Sequence, residues 1–111
     1  MKSTRILALA LSATLAAAIL PAAQVDAQAS LETAKRHYRS RDFRAAITEL
    51  HRTIELDPTR ADALYLLGYS HQELREYSQA VDYFGRAFQA DPTFDPRTIF
   101  QARPPVTEEP M

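Results

Sequence analysis

Apolar and small residues recur at helical spacing along two consecutive stretches of 34 residues, Ala27–Arg60 and Ala61–Phe94. In the second stretch two runs contain pairs of residues that are three or four positions apart. The runs are Leu64, Leu67, Gly68, His71 and Leu74, then Ala80, Val81, Phe84, Ala87 and Phe88. Such steps place the residues of a run on one face of a helix. The second run stops at Asp91 and Pro92, because a proline disfavours helical geometry in the residue before it. The pattern predicts two helices in each stretch.

The two stretches, called here the first and the second repeat, also match residue by residue. Nine aligned positions are identical, namely Ala27/Ala61, Ala29/Ala63, His37/His71, Arg41/Arg75, Ala46/Ala80, Arg52/Arg86, Asp57/Asp91, Pro58/Pro92 and Thr59/Thr93. A fixed period of this length is typical of stacked helical arrays. The first helix of the first repeat is predicted over Leu31 to Arg39, with Ser30 as its N-cap. We expect it to bury less surface than its counterpart, because it has Ser30, Thr33 and Ala34 where the second repeat has Leu64, Leu67 and Gly68.

These positions resemble the tetratricopeptide repeat, a 34-residue pattern of large, small and aromatic residues that closes on a proline. The second repeat supplies the pattern with Leu64, Leu67, Gly68, Tyr77, Ala80, Phe84, Ala87 and Pro92, and departs from it at His71, where tyrosine is usual. The first repeat matches at Ala34, Phe43, Ala46, Leu50 and Pro58, and departs at Ser30, Thr33, His37 and Thr53. The resemblance implies an all-α fold, an α-solenoid with helix-turn-helix repeats at 30–60 and 61–94.

The flanking segments have a different character. Lys2 and Arg5 precede an uncharged run from Ile6 to Leu20, and small residues follow, which is the layout of a secretory signal peptide over residues 1–29. Cleavage is predicted after Ala27 or Ala29. The run is short for a membrane span, which needs roughly 20 apolar residues. We therefore expect an exported, periplasmic protein, with an uncleaved inner-membrane anchor facing the periplasm as the alternative.

At the other end, Asp95 and Pro96 form a helix-start signal. A short capping helix is predicted over 95–103, because two consecutive prolines follow at 104 and 105. We expect residues 104–111 to form a disordered tail.

Composition and motif content exclude several kinds of functional site. With 13 basic and 14 acidic residues the formal net charge is −1, which predicts no nucleic-acid partner. The chain has no cysteine, which excludes disulfides and thiolate sites. His37 and His71 hold equivalent places in stacked repeats, about 10 Å apart or more, whereas zinc needs each ring nitrogen at about 2.1 Å. Since nucleophile-elbow and phosphate-loop motifs are also absent, we expect no enzyme, no cofactor and no metal.

The resemblance implies a non-catalytic module that binds a protein or peptide on the concave face formed by the first helix of each repeat. By helical spacing, the candidate contact residues are Leu31, Lys35, Tyr38, Arg39, Asp62, Tyr65, Tyr69, Gln72 and Glu73. Tyr65 and Tyr69 lie on one helix face, because they are four residues apart. The function predicted is that of a small periplasmic adaptor or assembly factor. The alternatives are a self-associating structural subunit, dimeric through incomplete repeat ends, and a membrane-anchored module.

Overall fold

The computed structural model describes residues 22–101, and the chain folds there into packed helices. The elements are α1 (22–39), α2 (Phe43–Leu56), α3 (Ala61–Glu73), α4 (Tyr77–Ala90) and a 3-10 helix, η1 (Pro96–Ile99). Helix α3 packs against both α2 and α4, and η1 returns to α3. Residues 22–101 contain no strand, and none of their helices has the length and apolar run that crossing a bilayer requires.

The second helix of each repeat ends immediately before an Asp-Pro pair, as the sequence predicts. Helix α2 ends at Leu56, before Asp57 and Pro58, and α4 ends at Ala90, before the same dipeptide of the second repeat. At the start of α2, the Asp42 carboxylate accepts a hydrogen bond from the Ala45 amide at 3.2 Å. This contact satisfies one of the amide groups that a helix start leaves without a partner.

The first helix of each repeat ends in the same left-handed turn. Arg41 and Arg75, at equivalent positions, have φ angles of 63° and 62°. In the second repeat the Arg75 amide donates to the Gln72 carbonyl and the Glu76 amide donates to the His71 carbonyl, both at 2.9 Å. These two bonds define a Schellman motif, whose left-handed position usually holds glycine. An arginine in this conformation stores backbone strain.

The core lies between the helices and includes η1. Its buried members are apolar or small, namely Leu31, Ala34, Ala46, Leu50, Ala63, Leu66, Leu67 and Ile99. The small residue Gly68 of α3 lies directly against α4, and the Phe84 ring of α4 fills the space beside it. Ile99 of η1 is buried in this cluster, so the segment after the second repeat covers part of the apolar core.

The carboxylate of Glu76 forms hydrogen bonds with side chains of both repeats. Glu76, between α3 and α4, accepts hydrogen bonds from Arg44 of α2 at 3.2 Å and from His71 Nδ1 at 2.9 Å. The bond from His71, followed by the bond from Arg44, lowers the pKa of Glu76 below its ordinary value. Because Arg44 and Glu76 belong to different repeats, this contact adds a polar link to the apolar core.

Two predicted boundaries are wrong. Helix α1 does not begin at Leu31 with Ser30 as its cap, because the chain is already helical at residue 22 and Ser30 is buried inside the helix. The stretch 22–29 has no proline or glycine to stop the helix. Of the helix predicted over 95–103, the described residues up to 101 contain only the four-residue η1.

The structure describes only part of each of the two predicted end segments. The predicted cleavage positions, after Ala27 and Ala29, fall within α1, and Ala27 is fully buried there. Residues 1–21 of the predicted signal peptide and the predicted tail at 104–111 lie outside the described residues.

Candidate partner-binding groove

The concave side carries a row of aromatic rings from the first helix of each repeat. Tyr38 comes from α1, and Tyr65 and Tyr69 come from consecutive turns of α3. Phe84 of α4 supports the two α3 tyrosines from behind, with its ring centroid 5.0 Å from that of Tyr69 and 6.2 Å from that of Tyr65. The rings are therefore fixed by packing, which makes a rigid surface at low entropic cost for a partner.

The segment that follows α4 covers part of this row. Phe94 stacks on Tyr65, with centroids 5.7 Å apart and ring planes 20° apart. Phe100 contacts both Tyr38 and Tyr69, at centroid distances of 5.3 and 5.6 Å. The Tyr65 ring is thus largely covered by Phe94 of the same chain. The open part of the groove lies toward the C-terminal end of α3.

A cleft of about 260 Å³ remains open at that end. Its walls are Tyr38, Tyr69, Gln72, Glu73 and Tyr77. Four of these five are residues that the sequence predicts for partner binding, and the structure brings them together. Tyr77, from the first turn of α4, is the member that helical spacing within the first helices does not include.

The cleft is polar but its tyrosines stay neutral. Burial raises the pKa of Tyr38 above its usual value, and the neighbouring Glu73 and Tyr69 raise it further, against the opposing effect of Arg41. The pKa of Tyr69 is raised by burial, then by Tyr65 and Asp95. These two hydroxyls remain protonated at neutral pH and can donate hydrogen bonds, while Glu73 and the Gln72 amide oxygen can accept them.

A family model described as tetratricopeptide repeat matches residues 31–93, more than half of the chain. The chain belongs to the tetratricopeptide repeat family. Repeats of this family generally mediate protein–protein interaction and are typically non-catalytic. With α-helices packed in sequence along residues 22–101, the all-α solenoid predicted from the sequence is confirmed. No curated protein matches the chain.

Leu31 is a correction to the predicted contact set of this tetratricopeptide repeat protein. Its side chain is fully buried in the core cluster that also contains Ile99. Leu31 is equivalent to Tyr65 in the 34-residue register, and the spacing puts both on the concave side. The apolar side chain at 31 is covered there, because burying it gains hydrophobic free energy. It cannot touch a partner in this conformation.

The other predicted contact residues lie away from the cleft. Lys35 is mostly buried along α1 and pairs with Glu32 at 3.4 Å. Arg39 is exposed at the end of α1. Asp62 accepts hydrogen bonds from Arg60 at 3.0 Å and from the Ala63 amide at 2.8 Å, and it lines a separate cavity of about 310 Å³ beside Phe94. These residues do not join Tyr38 and Tyr69 in one site.

Sequence reasoning missed three aromatic residues of the groove, Tyr77, Phe94 and Phe100. The signal available for Tyr77 is its alignment with the aromatic Phe43 in the 34-residue register, and in the structure Phe43 contacts Tyr38 edge-on at 5.2 Å. No periodic signal marks Phe94 and Phe100, which follow the last predicted helix of the second repeat.

The histidine at the usual tyrosine position of the repeat has a packing role. His71 stacks on Tyr83, with centroids 5.4 Å apart and planes 8° apart, while its Nδ1 donates to Glu76. Within residues 22–101, no three His, Asp or Glu side chains come together as a set of metal ligands. The ring substitutes for an aromatic residue in the packing of α3 against α4.

Proposed function

We propose that this tetratricopeptide repeat protein is a non-catalytic adaptor or assembly factor of the bacterial periplasm, which holds a segment of a protein partner in the concave cleft. The family supports protein binding as the general function. The position of the proposed binding site is supported by one observation, which is that five side chains line the same cleft. They are Tyr38, Tyr69, Gln72, Glu73 and Tyr77. Tyrosine is enriched among the residues that dominate protein interfaces.

The chemistry of the cleft favours a basic side chain of the partner. Three phenol rings surround an opening whose carboxylate is Glu73. A lysine or arginine side chain would gain both a charge-assisted hydrogen bond to the carboxylate and cation–π contact with the rings. We propose that the bound segment presents such a side chain.

The proposal is tested by recovering partners from a periplasmic extract with the tagged protein and its variants. Glu73→Gln removes the charge of the cleft, and Tyr69→Phe removes one hydroxyl while keeping the ring that packs on Phe84. We expect Glu73→Gln to reduce the affinity for the recovered protein by about tenfold, because a charge-assisted bond is lost. Tyr69→Phe should reduce the affinity less, because it removes only a neutral hydroxyl and leaves the ring in place.

Glu55→Gln is the matched control, because Glu55 is an exposed glutamate of α2 that is not part of the cleft. It should leave recovery unchanged. If a partner is recovered equally by the wild-type, Glu73→Gln and Tyr69→Phe proteins, the cleft is not its binding site. Circular dichroism of each variant checks that the fold is retained.

The periplasmic location rests on the basic start and the apolar run of residues 1–20. Sequencing the amino terminus of the protein isolated from a cell-envelope fraction tests it. A start at Gln28 or Ser30 supports export with cleavage. A start at Met1 in the membrane fraction would favour the anchored alternative, and a start at Met1 in the cytosol would contradict export.

A further inference from the structure

Helix α4 has an apolar stripe that the described part of the chain leaves open. Tyr77, Val81 and Phe88 are 58 %, 70 % and 59 % exposed, although they share one face of the helix with the half-buried Phe84. The four residues are separated by steps of four, three and four, the spacing of a seam between two helices. Exposed large apolar side chains in a contiguous row mark an interaction surface.

The first repeat shows what such a stripe packs against. The equivalent residues of α2 are Phe43, Ile47, Leu50 and Ile54. Leu50 is fully buried, and Ile47 and Ile54 pack partly buried against the core where α2 meets α3. In the first repeat these positions therefore pack toward the next helix, whereas in the second repeat Tyr77, Val81 and Phe88 face solvent. Residues 91–101 do not cover the α4 stripe, because their buried residue Ile99 packs with the core and η1 contacts α3.

The borders of the stripe suit a close helix partner. On one side lie Ser78 and Gly85, both exposed and small. A Cβ atom placed on Gly85 would have nothing within 4 Å, so packing inside the chain gives no reason for a glycine in the middle of this helix. The stripe and these two border positions carry no charged side chain, and a surface that meets its own copy across a two-fold axis must not repel itself.

Within the described residues, the face of α1 that would be equivalent to the covering face of α3 is more polar. Helix α3 covers α2 with a buried surface that includes Ala63, Leu66, Leu67 and Ser70. The equivalent residues of α1 are Ala29, Glu32, Thr33 and Arg36, of which the last two form a 3.1 Å hydrogen bond. A second copy that stacked its α4 on this α1 would bury polar groups at a cost. Head-to-tail stacking is therefore disfavoured.

We propose that α4 is the interface of a closed, two-fold homodimer, in which the two α4 stripes pack antiparallel. In this arrangement Tyr77 packs against the partner's Phe88, and Val81 packs against the partner's Phe84. The proposal goes beyond partner binding in the cleft, and it uses different residues except for Tyr77, which borders both surfaces. One helix pair buries less than the roughly 1,200 Å² of a standard interface. We therefore expect the dimer to have a dissociation constant in the micromolar range.

Sedimentation velocity on the protein purified after expression of the full 111-residue chain tests the dimer, over about 1 µM to about 1 mM. We expect a concentration-dependent shift from monomer to dimer and no larger species. Val81→Glu places a charge in the seam and should weaken dimerisation by about tenfold or more. Gln79→Glu adds the same charge on the opposite side of α4, at another exposed position, and should have no effect.

Thiol cross-linking locates the interface without a destabilising change. Because the chain has no cysteine, Val81→Cys and Gln79→Cys each introduce a single thiol. A short bis-maleimide should link two Val81→Cys chains and not two Gln79→Cys chains. Three outcomes would overturn the proposal. The chain could stay monomeric at every concentration, Val81→Glu could leave the dimer intact, or association could continue beyond two copies. A chain that dimerises only after removal of residues 102–111 would also overturn it, because the tail would then be the occupant.

Discussion

The Phe84 ring of α4 occupies the space that a side chain at Gly68 of α3 would need. A Cβ atom at Gly68 would come within 3.0 Å of three ring atoms. The ring has little freedom to move away, because Tyr65 and Tyr69 pack on it at centroid distances of 6.2 and 5.0 Å. This contact links the helix crossing in the core to the tyrosines of the groove.

Gly68→Ala is therefore expected to destabilise the protein. The added methyl group forces Phe84 or the helix crossing to shift, and overpacking of this kind costs about 1–3 kcal/mol. Urea denaturation followed by circular dichroism measures the loss. Because Phe84 supports Tyr69, partner binding in the cleft should weaken along with stability.

Gly85→Ala is the matched control, one helix later on an open surface. Alanine has a lower conformational cost than glycine inside a helix, so this variant should be more stable by about 0.5–1 kcal/mol at concentrations where the protein is monomeric. Equal effects of the two substitutions would contradict the close contact between Gly68 and Phe84.

Ile99→Ala tests whether the segment after α4 is part of the folded core. Ile99 is buried in the core cluster, and truncation of such a side chain costs about 2–5 kcal/mol. We expect a lower denaturation midpoint and faster proteolysis within residues 94–101. Gln101→Ala, at an exposed position of the same segment, should change neither. Wild-type stability of Ile99→Ala would show that the segment is not docked in solution.

Arg75→Gly should stabilise the protein. Arg75 has a φ of 62°, which costs an L-residue about 1 kcal/mol relative to glycine, and its side chain is exposed. The gain expected from thermal unfolding is about 1 kcal/mol or somewhat less, since glycine also makes the unfolded chain more flexible. Arg75→Ala keeps the strain and should give no comparable gain. Arg41→Gly should gain less, because it loses the contact of Arg41 with the Phe43 ring at 5.6 Å.

The Glu76 contact should make stability depend on pH in the acid range. Its pKa is lower in the folded protein than the ordinary value of 4.5, chiefly through the hydrogen bond from His71. The folded state therefore binds this proton less readily than the unfolded state, and the stabilisation is complete above the ordinary value and lost as the pH falls through the lowered pKa.

Glu76→Gln should lower the melting temperature at neutral pH and reduce its fall on acidification. Thermal unfolding between about pH 3 and pH 7 measures both effects. Glu55→Gln, at an exposed glutamate of α2, serves as the control and should keep the wild-type profile. A Glu76→Gln curve that runs parallel to the wild-type curve would contradict the role of this carboxylate.

Local patterns predicted the helices because their causes are local. The Asp-Pro pairs end α2 and α4 as expected, and the spacing of Leu50 and Leu67 places both in the core. The two ends of the array were predicted less well. Spacing alone puts Leu31 on a concave face, but whether that face is open depends on which distant segment returns to it.

The same limit applies to the site. Helical spacing identified Tyr38, Tyr69, Gln72 and Glu73 as residues of one face, and the structure places them around one cleft. It could not identify Phe100, whose contact with Tyr38 joins positions 62 residues apart (100 − 38). Contacts of that separation follow from the packed fold and leave no periodic trace in the sequence.

The docking of Phe100 on Tyr38 and Tyr69 has a consequence for binding measurements. The segment is tethered to the surface it covers, so it acts as a competitor at a high effective concentration that dilution does not reduce. A ligand that needs this part of the groove binds only the fraction of molecules in which Phe100 has moved away, and its apparent dissociation constant rises in inverse proportion to that fraction. A tag or label attached close behind residue 101 would change this fraction, so affinities should be compared only between proteins with the same C-terminal sequence.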